Sequence, residues 1–218
     1  MLDSSLYIVN HVHKSNSKTA LHFAAGYGHV DLVALLLERR ANVNALDIRN
    51  CAPLHIASRF GHSSIVKLLV EHHADISSLA IDEYRHEWFY NEKLTPIEIA
   101  CEYGHLDVIE YLVANGASVN ALNAGQSSPL HYAVFGNQPA VANYLIAHGA
   151  NVNFTSMIHG TALIVAAQEG NADMTRLLLD HGALVNEAWN AGSLDSKSDA
   201  VGLIARRILP IGTSFMFV

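Results

Sequence analysis

Five segments of this chain repeat one pattern, and their spacing leaves few folds open. TALHFA (Thr19–Ala24), APLHIA (Ala52–Ala57), TPIEIA (Thr95–Ala100), SPLHYA (Ser128–Ala133) and TALIVA (Thr161–Ala166) align residue by residue. Their third positions, Leu21, Leu54, Ile97, Leu130 and Leu163, are separated by steps of 33, 43, 33 and 33 residues. Seven residues after each stands Gly28, Gly61, Gly104, Asn137 or Gly170. Twelve further on stands Arg40, His73, Gly116, Gly149 or Gly182, each followed by alanine. A unit of this length cannot bury its apolar face alone. Stacked copies can, so the repeat predicts one elongated array rather than several globules.

The residue types in each slot say how a unit folds. Proline at Pro53, Pro96 and Pro129 suits the first position of a helix, where no intrahelical N–H bond is lost. The glycine slot is where a left-handed residue ends that helix, and Asn137 is the non-glycine best suited to stand in for it. The stretches VDLVALLLE, SSIVKLLVE, LDVIEYLVA, PAVANYLIA and ADMTRLLLD follow, with apolar residues at helical spacing, as in Val30, Val33, Leu36 and Leu37. Asp31, Asp107 and Asp173 share an early slot of this second helix, where negative charge suits the helix dipole.

This unit resembles the ankyrin repeat, a turn and two helices with a T-P-L-H-x-A signature, over about residues 9–186. The resemblance implies an all-α solenoid of stacked helix pairs joined by extended hairpin loops. ANVNALD and ANVNFTS fit such loops. It also implies recognition of proteins through hairpin tips and the inner helices.

The 43-residue step places ten extra residues between Ala74 and Thr95, in the hairpin linking units two and three. Insertions in repeat arrays map to loops on one face, often the binding face. This finger, about residues 77–92, carries Tyr84, Arg85, Trp88, Phe89 and Tyr90. Two readings stand and are compatible: the aromatics seal a long loop onto its own array, or they contact a partner, since aromatics and arginine dominate interface hot spots. A second aromatic series, Tyr27, Phe60 and Tyr103, fills the slot before the glycine, with Phe135 one residue ahead of its equivalent. By resemblance this slot faces the concave groove; aromatics there also pack on the next repeat. The hairpin tips Ile48 and Arg49, and Met157, Ile158 and His159, are expected to flank it.

Both ends depart from the beat. LDSSLYIV is read as a short capping strand or the remnant of a preceding helix. After Asn186 the sixth signature is lost. The chain is therefore divided into a repeat domain, 1–190, and a divergent cap or truncated following segment, 191–218, with a helix expected from about Ser198 to Leu209, before Pro210.

Little in the sequence points to chemistry. Nine of fourteen histidines fall in three repeat slots: His22, His55 and His131; His29, His62 and His105; His72, His148 and His181. By resemblance the signature histidine is structural, its ring bonding hairpin backbone. His11 and His13 form a lone H-x-H, and neither a metal site nor a cofactor is expected. Metalloprotease, paired-cysteine zinc, phosphate-loop and G-x-S-x-G patterns are absent, so no catalytic residue is assigned. The net charge of −7 argues against general nucleic-acid binding. The two cysteines, Cys51 and Cys101, do not make a disulfide framework and suit a reducing, cytoplasmic compartment. No membrane span is expected in the apolar tail, which holds Arg206, Arg207 and Pro210. The expected function is a monomeric, non-enzymatic module binding a protein partner. A scaffold segment of a larger protein and a host-directed bacterial effector module are the alternatives. Resemblance also implies asparaginyl hydroxylation at Asn44, Asn120, Asn153 and Asn186, each with a leucine (Leu36, Leu112, Leu145, Leu178) eight residues upstream.

Overall fold

The computed structural model describes residues 9–81 and 92–185. The calls on the finger aromatics Tyr84, Arg85, Trp88, Phe89 and Tyr90, on Asn186 and on the segment 191–218 lie outside those residues.

Five helix pairs follow one another. They are α1 (Ala20–Tyr27) with α2 (Val30–Glu38), α3 (Pro53–Phe60) with α4 (Ser63–Glu71), α5 (Pro96–Tyr103) with α6 (Leu106–Ala114), α7 (Pro129–Phe135) with α8 (Pro139–Ala147), and α9 (Ala162–Gln168) with α10 (Ala172–Asp180). Each first helix packs on its own second helix and on the first helices of adjacent units. The signature positions Leu21, Leu54, Ile97, Leu130 and Leu163 are all buried in this shared core. Each contributes about 1.5–3 kcal/mol by leaving water.

The joint inside each pair is set by backbone sterics. Gly28, Gly61, Gly104, Asn137 and Gly170 all take the left-handed conformation, with φ of 77, 70, 81, 52 and 70°. The next N–H then returns to a carbonyl five residues back, as in His29 to Ala24 and Asn171 to Ala166. This geometry satisfies the helix's last carbonyls. The same device ends the second helix at Arg40, His73, Gly116, Gly149 and Gly182. Arg40 and His73 hold φ of 61 and 67° in a slot that is otherwise glycine.

Short ribbons join the units. β1 (Ala80–Ile81) pairs antiparallel with β2 (Lys93–Leu94), Ala80 opposite Leu94, and β3 (Thr155–Ser156) pairs with β4 (Gly160–Thr161). Neighbouring hairpins are bonded laterally: Ile48 N–H to Asn16 O, Ile81 N–H to Arg49 O, and Met157 N–H to Gly125 O, at 3.2, 3.0 and 2.9 Å. The inserted residues therefore leave and re-enter the array through a paired stem, Ile81 opposite Lys93.

Candidate functional site

The signature histidines form a buried seam between helices and hairpins. Each Nδ1 accepts the backbone N–H that opens its own helix: Thr19 for His22, Ala52 for His55 and Ser128 for His131, all at 3.1 Å. That leaves the proton on Nε2, which donates to a carbonyl of the following hairpin: Cys51, Ser78 and Gly160, at 2.9, 2.9 and 3.0 Å. Burial lowers the pKa of all three, to about 4 for His55 and His131. In unit three Glu98 takes the slot, and its carboxylate accepts the Thr95 N–H and hydroxyl at 2.7 and 2.8 Å. A hydrogen-bonded, buried imidazole joins one unit to the next, and the hydroxyls of Thr19 and Ser128 meet Nδ1 of His22 and His131 at 2.9 Å as part of the same caps.

A second ladder runs beside the aromatic slot, and the repeat slots alone did not announce it. The residue after the left-handed joint reaches back to the preceding unit. His62 Nε2 donates to Gly26 O at 3.1 Å, His105 Nε2 to Arg59 O at 2.7 Å, and Gln138 Nε2 to Glu102 O at 3.4 Å. In unit five Asn171 donates to the Asn137 side chain. The signal was present: His62, His105, Gln138 and Asn171 are all side chains that can donate, in one slot.

On this ladder stand the aromatics. Tyr27 is 73% exposed and Phe60 47%. Each stacks on the histidine two residues on, Tyr27 on His29 and Phe60 on His62, with planes 28° apart. Tyr103 is half-buried against the core. Arg59, which sequence reasoning passed over, links two of them. Its guanidinium lies 5.5 Å from the Phe60 ring centre and 4.9 Å from that of Tyr103, and donates to the Tyr103 hydroxyl at 3.0 Å.

Unit four interrupts the row. Gly136 holds the aromatic slot, and a Cβ there would lie 1.7 Å from Glu102 O. The backbone of α7 thus approaches α5 too closely for any side chain. Phe135 is half-buried, packed edge-on to His159 at 4.6 Å and beside Tyr132 at 6.2 Å, and does not extend the Tyr27–Phe60–Tyr103 series in the same manner. Unit five carries Glu169 in that slot.

Among the hairpin tips, Ile48, Met157 and Ile158 are exposed and Arg49 is half-buried. His159 is buried and pairs with Glu92, at the C-terminal foot of the insertion, at 3.3 Å. The hairpin asparagines bridge units. Asn44 donates to His73 O and accepts from Asp75 N, Asn120 donates to Gly149 O and accepts from Asn151 N, and Asn153 donates to Gly182 O and accepts from Leu184 N. Cys101 is buried, and burial raises its thiol pKa well above the usual value. Among the described residues no cluster of three or more metal-ligating side chains occurs, and no helix is long and apolar enough to cross a membrane.

A family model described as ankyrin repeats (3 copies) matches residues 3–80 and 77–156, and one for a single ankyrin repeat matches residues 160–190. The chain belongs to the ankyrin repeat family. No curated protein matches it. Ankyrin repeats generally mediate protein–protein interaction and are generally non-enzymatic. The two hydrogen-bonded ladders are thus the frame of an ankyrin array, and the aromatic row is what this chain mounts on it.

Proposed function

We propose that this ankyrin array is a non-enzymatic recognition module. It binds a protein partner through Tyr27, Phe60 and Tyr103 and the hairpin tips Ile48 and Arg49, with the finger aromatics as further contacts. The observation that carries this is the exposure of Tyr27 and Phe60, each ring lying beside the imidazole two residues on. A preformed face of rigid aromatics loses little entropy on binding. The test compares wild type with Tyr27→Ala/Phe60→Ala and with Trp88→Ala/Phe89→Ala in quantitative affinity capture, followed by calorimetry on the purified captured protein. Each pair of substitutions is expected to weaken binding by more than about 2 kcal/mol, as hot-spot truncation does. Unchanged affinity in both variants, with melting temperature intact, would end this reading. Two free cysteines, one buried, agree with a reducing intracellular compartment, and a monomer is the expected state of the free module.

A structural segment within a longer array is favoured by a different observation. Phe23 and Leu32 are about two-fifths exposed in unit one; in their slots farther along Ile56 is half-buried, and Ile99, Tyr132 and Val165, and Ile65, Val108, Val141 and Met174, are buried. Ankyrin hairpin asparagines also remain candidates for hydroxylation at Asn44, Asn120, Asn153 and Asn186. Intact mass after exposure to an asparaginyl hydroxylase should show added oxygen, and no gain would dismiss the idea.

A further inference from the structure

The slot that holds Arg59 in unit two holds Gly26 in unit one. Arg59 shows what a guanidinium does on this face: it lies beside the ring of its own unit and over the ring of the next, 5.5 and 4.9 Å from their centres. One unit earlier both rings are present, Tyr27 and Phe60, but the cation is not. A Cβ on Gly26 would lie 4.0 Å from the Phe60 ring and 3.0 Å from Ile56 Cγ2, so a side chain from this slot would emerge beside Phe60. Backbone dihedrals do not demand the glycine, although 3.0 Å from Ile56 Cγ2 is tight for a Cβ and the isoleucine must give slightly. Gly26 lies inside α1 and is not among the glycines with positive φ. A glycine inside a helix costs about 1 kcal/mol relative to alanine.

Both signs of charge occur around this rung. Asp31 is exposed in the first turn of α2, and the chain carries a net charge of −7. The titratable groups on the elements packed here include His29 and His62, whose rings back Tyr27 and Phe60, Arg59, 5.5 Å from the Phe60 ring centre, the buried His22 and His55, and Glu38, Lys67 and Glu71 on α2 and α4. Aromatic faces attract guanidinium more than they attract a neutral isostere. We propose that the Tyr27–Phe60 rung receives an arginine side chain from a basic segment of the protein partner, in the arrangement Arg59 already makes between Phe60 and Tyr103. This rests on the reading that this face binds a protein, and specifies the chemistry it selects.

The probe is the peptide acetyl-Gly-Arg-Gly-Arg-Gly-amide, titrated into the full chain while the aromatic ring resonances are followed by NMR. Its counterpart carries citrulline, which keeps the shape and removes the charge. Saturable shifts at Tyr27 and Phe60 are expected, with the citrulline peptide at least about fivefold weaker. Gly26→Arg, which fills the rung from within, should abolish the response, while Gly26→Ala should keep most of it. Phe60→Leu should weaken it severalfold and decides the matter if Gly26→Arg does not fold. Equal binding of the two peptides, or an undiminished response in Phe60→Leu, overturns the proposal. If the arginine peptide fails but Tyr27→Ala/Phe60→Ala still loses the captured protein, the face binds protein by other chemistry and this proposal alone falls. If that pair leaves capture unchanged, this proposal falls, and if Trp88→Ala/Phe89→Ala leaves it unchanged too, the broader reading falls as well.

Discussion

The two sides of each helix pair obey different rules. On the hairpin side, the signature seam is nearly the same in units one to four: a buried acceptor at the third helical position, a bonded N-terminal amide and, for the three histidines, a link to the next hairpin; unit five has Ile164 there and is capped by the Thr161 hydroxyl instead. On the groove side the aromatic slot reads Tyr27, Phe60, Tyr103, Gly136 and Glu169. A buried polar group left without its partner costs about 1–3 kcal/mol, so the seam tolerates little variation. An exposed ring costs the fold little, so its slot is open to be set by what the face must recognise. The contrast separates the residues that build the array from those whose identity the array leaves open.

Acid should break the seam first. In the folded chain His55 and His131 titrate at about 4, against 6.5 for the unperturbed group. Between these values the unfolded chain binds protons that the folded chain refuses, so stability rises with pH across that window. The contribution is complete above about pH 6.5 and is lost as pH falls toward 4. It amounts to about 3 kcal/mol per histidine at most. Urea denaturation at pH 7.0, 5.5 and 4.5 should show the decline, and His131→Gln should flatten it. An unfolding midpoint independent of pH over this range would contradict the seam as described.

Gly136→Ala probes the place where the groove row is interrupted by backbone. The new methyl would meet Glu102 O at 1.7 Å, an atom that cannot rotate away. The helices must part, at a cost of about 3 kcal/mol, near the upper end of overpacking effects. Thermal unfolding of the variant is expected to drop by many degrees. A small change would mean that α7 and α5 slide apart easily.

Much of this was legible in the sequence, for a physical reason. The left-handed joints recur because sterics admit few residues there, and Asn137 was readable as the one substitute; it holds φ of 52°. The position of the insertion was readable because a hairpin can be lengthened without disturbing the period. The contacts of Arg59 with Phe60 and Tyr103, of Glu92 with His159, and of Phe135 with the same histidine were not. Glu92 and His159 are 67 residues apart and pair only because the hairpins lie side by side. Such a pair has no period, so a slot-by-slot reading passes over it. The interruption at Gly136 was visible as a letter, but its cause, the closeness of Glu102 O, belongs to packing.

A smaller effect, of opposite sign, comes from the second left-handed joint. Arg40 and His73 hold φ near 60° where later units use glycine. A non-glycine residue in that conformation costs about 1–2 kcal/mol, partly offset by the greater freedom of glycine in the unfolded chain. Arg40→Gly and His73→Gly should each stabilise by up to about 1 kcal/mol, read as a rise of a few degrees in melting temperature. A fall would show that these side chains serve the fold.

The smallest effect on stability belongs to the residue on which the functional reading most depends. Tyr27 is 73% exposed, and its ring meets His29 rather than the core. Tyr27→Ala removes that stacking and little else, so unfolding should shift by no more than about 0.5 kcal/mol, the usual range for surface substitutions. Phe60→Ala should cost somewhat more, because the ring is also in contact with Arg59 and half of it is covered. If Tyr27→Ala instead destabilises the array as a seam substitution does, the two sides of the unit are not separable, and the tyrosine is part of the frame. If it leaves unfolding untouched while partner affinity falls, the ring is held at the surface for recognition alone.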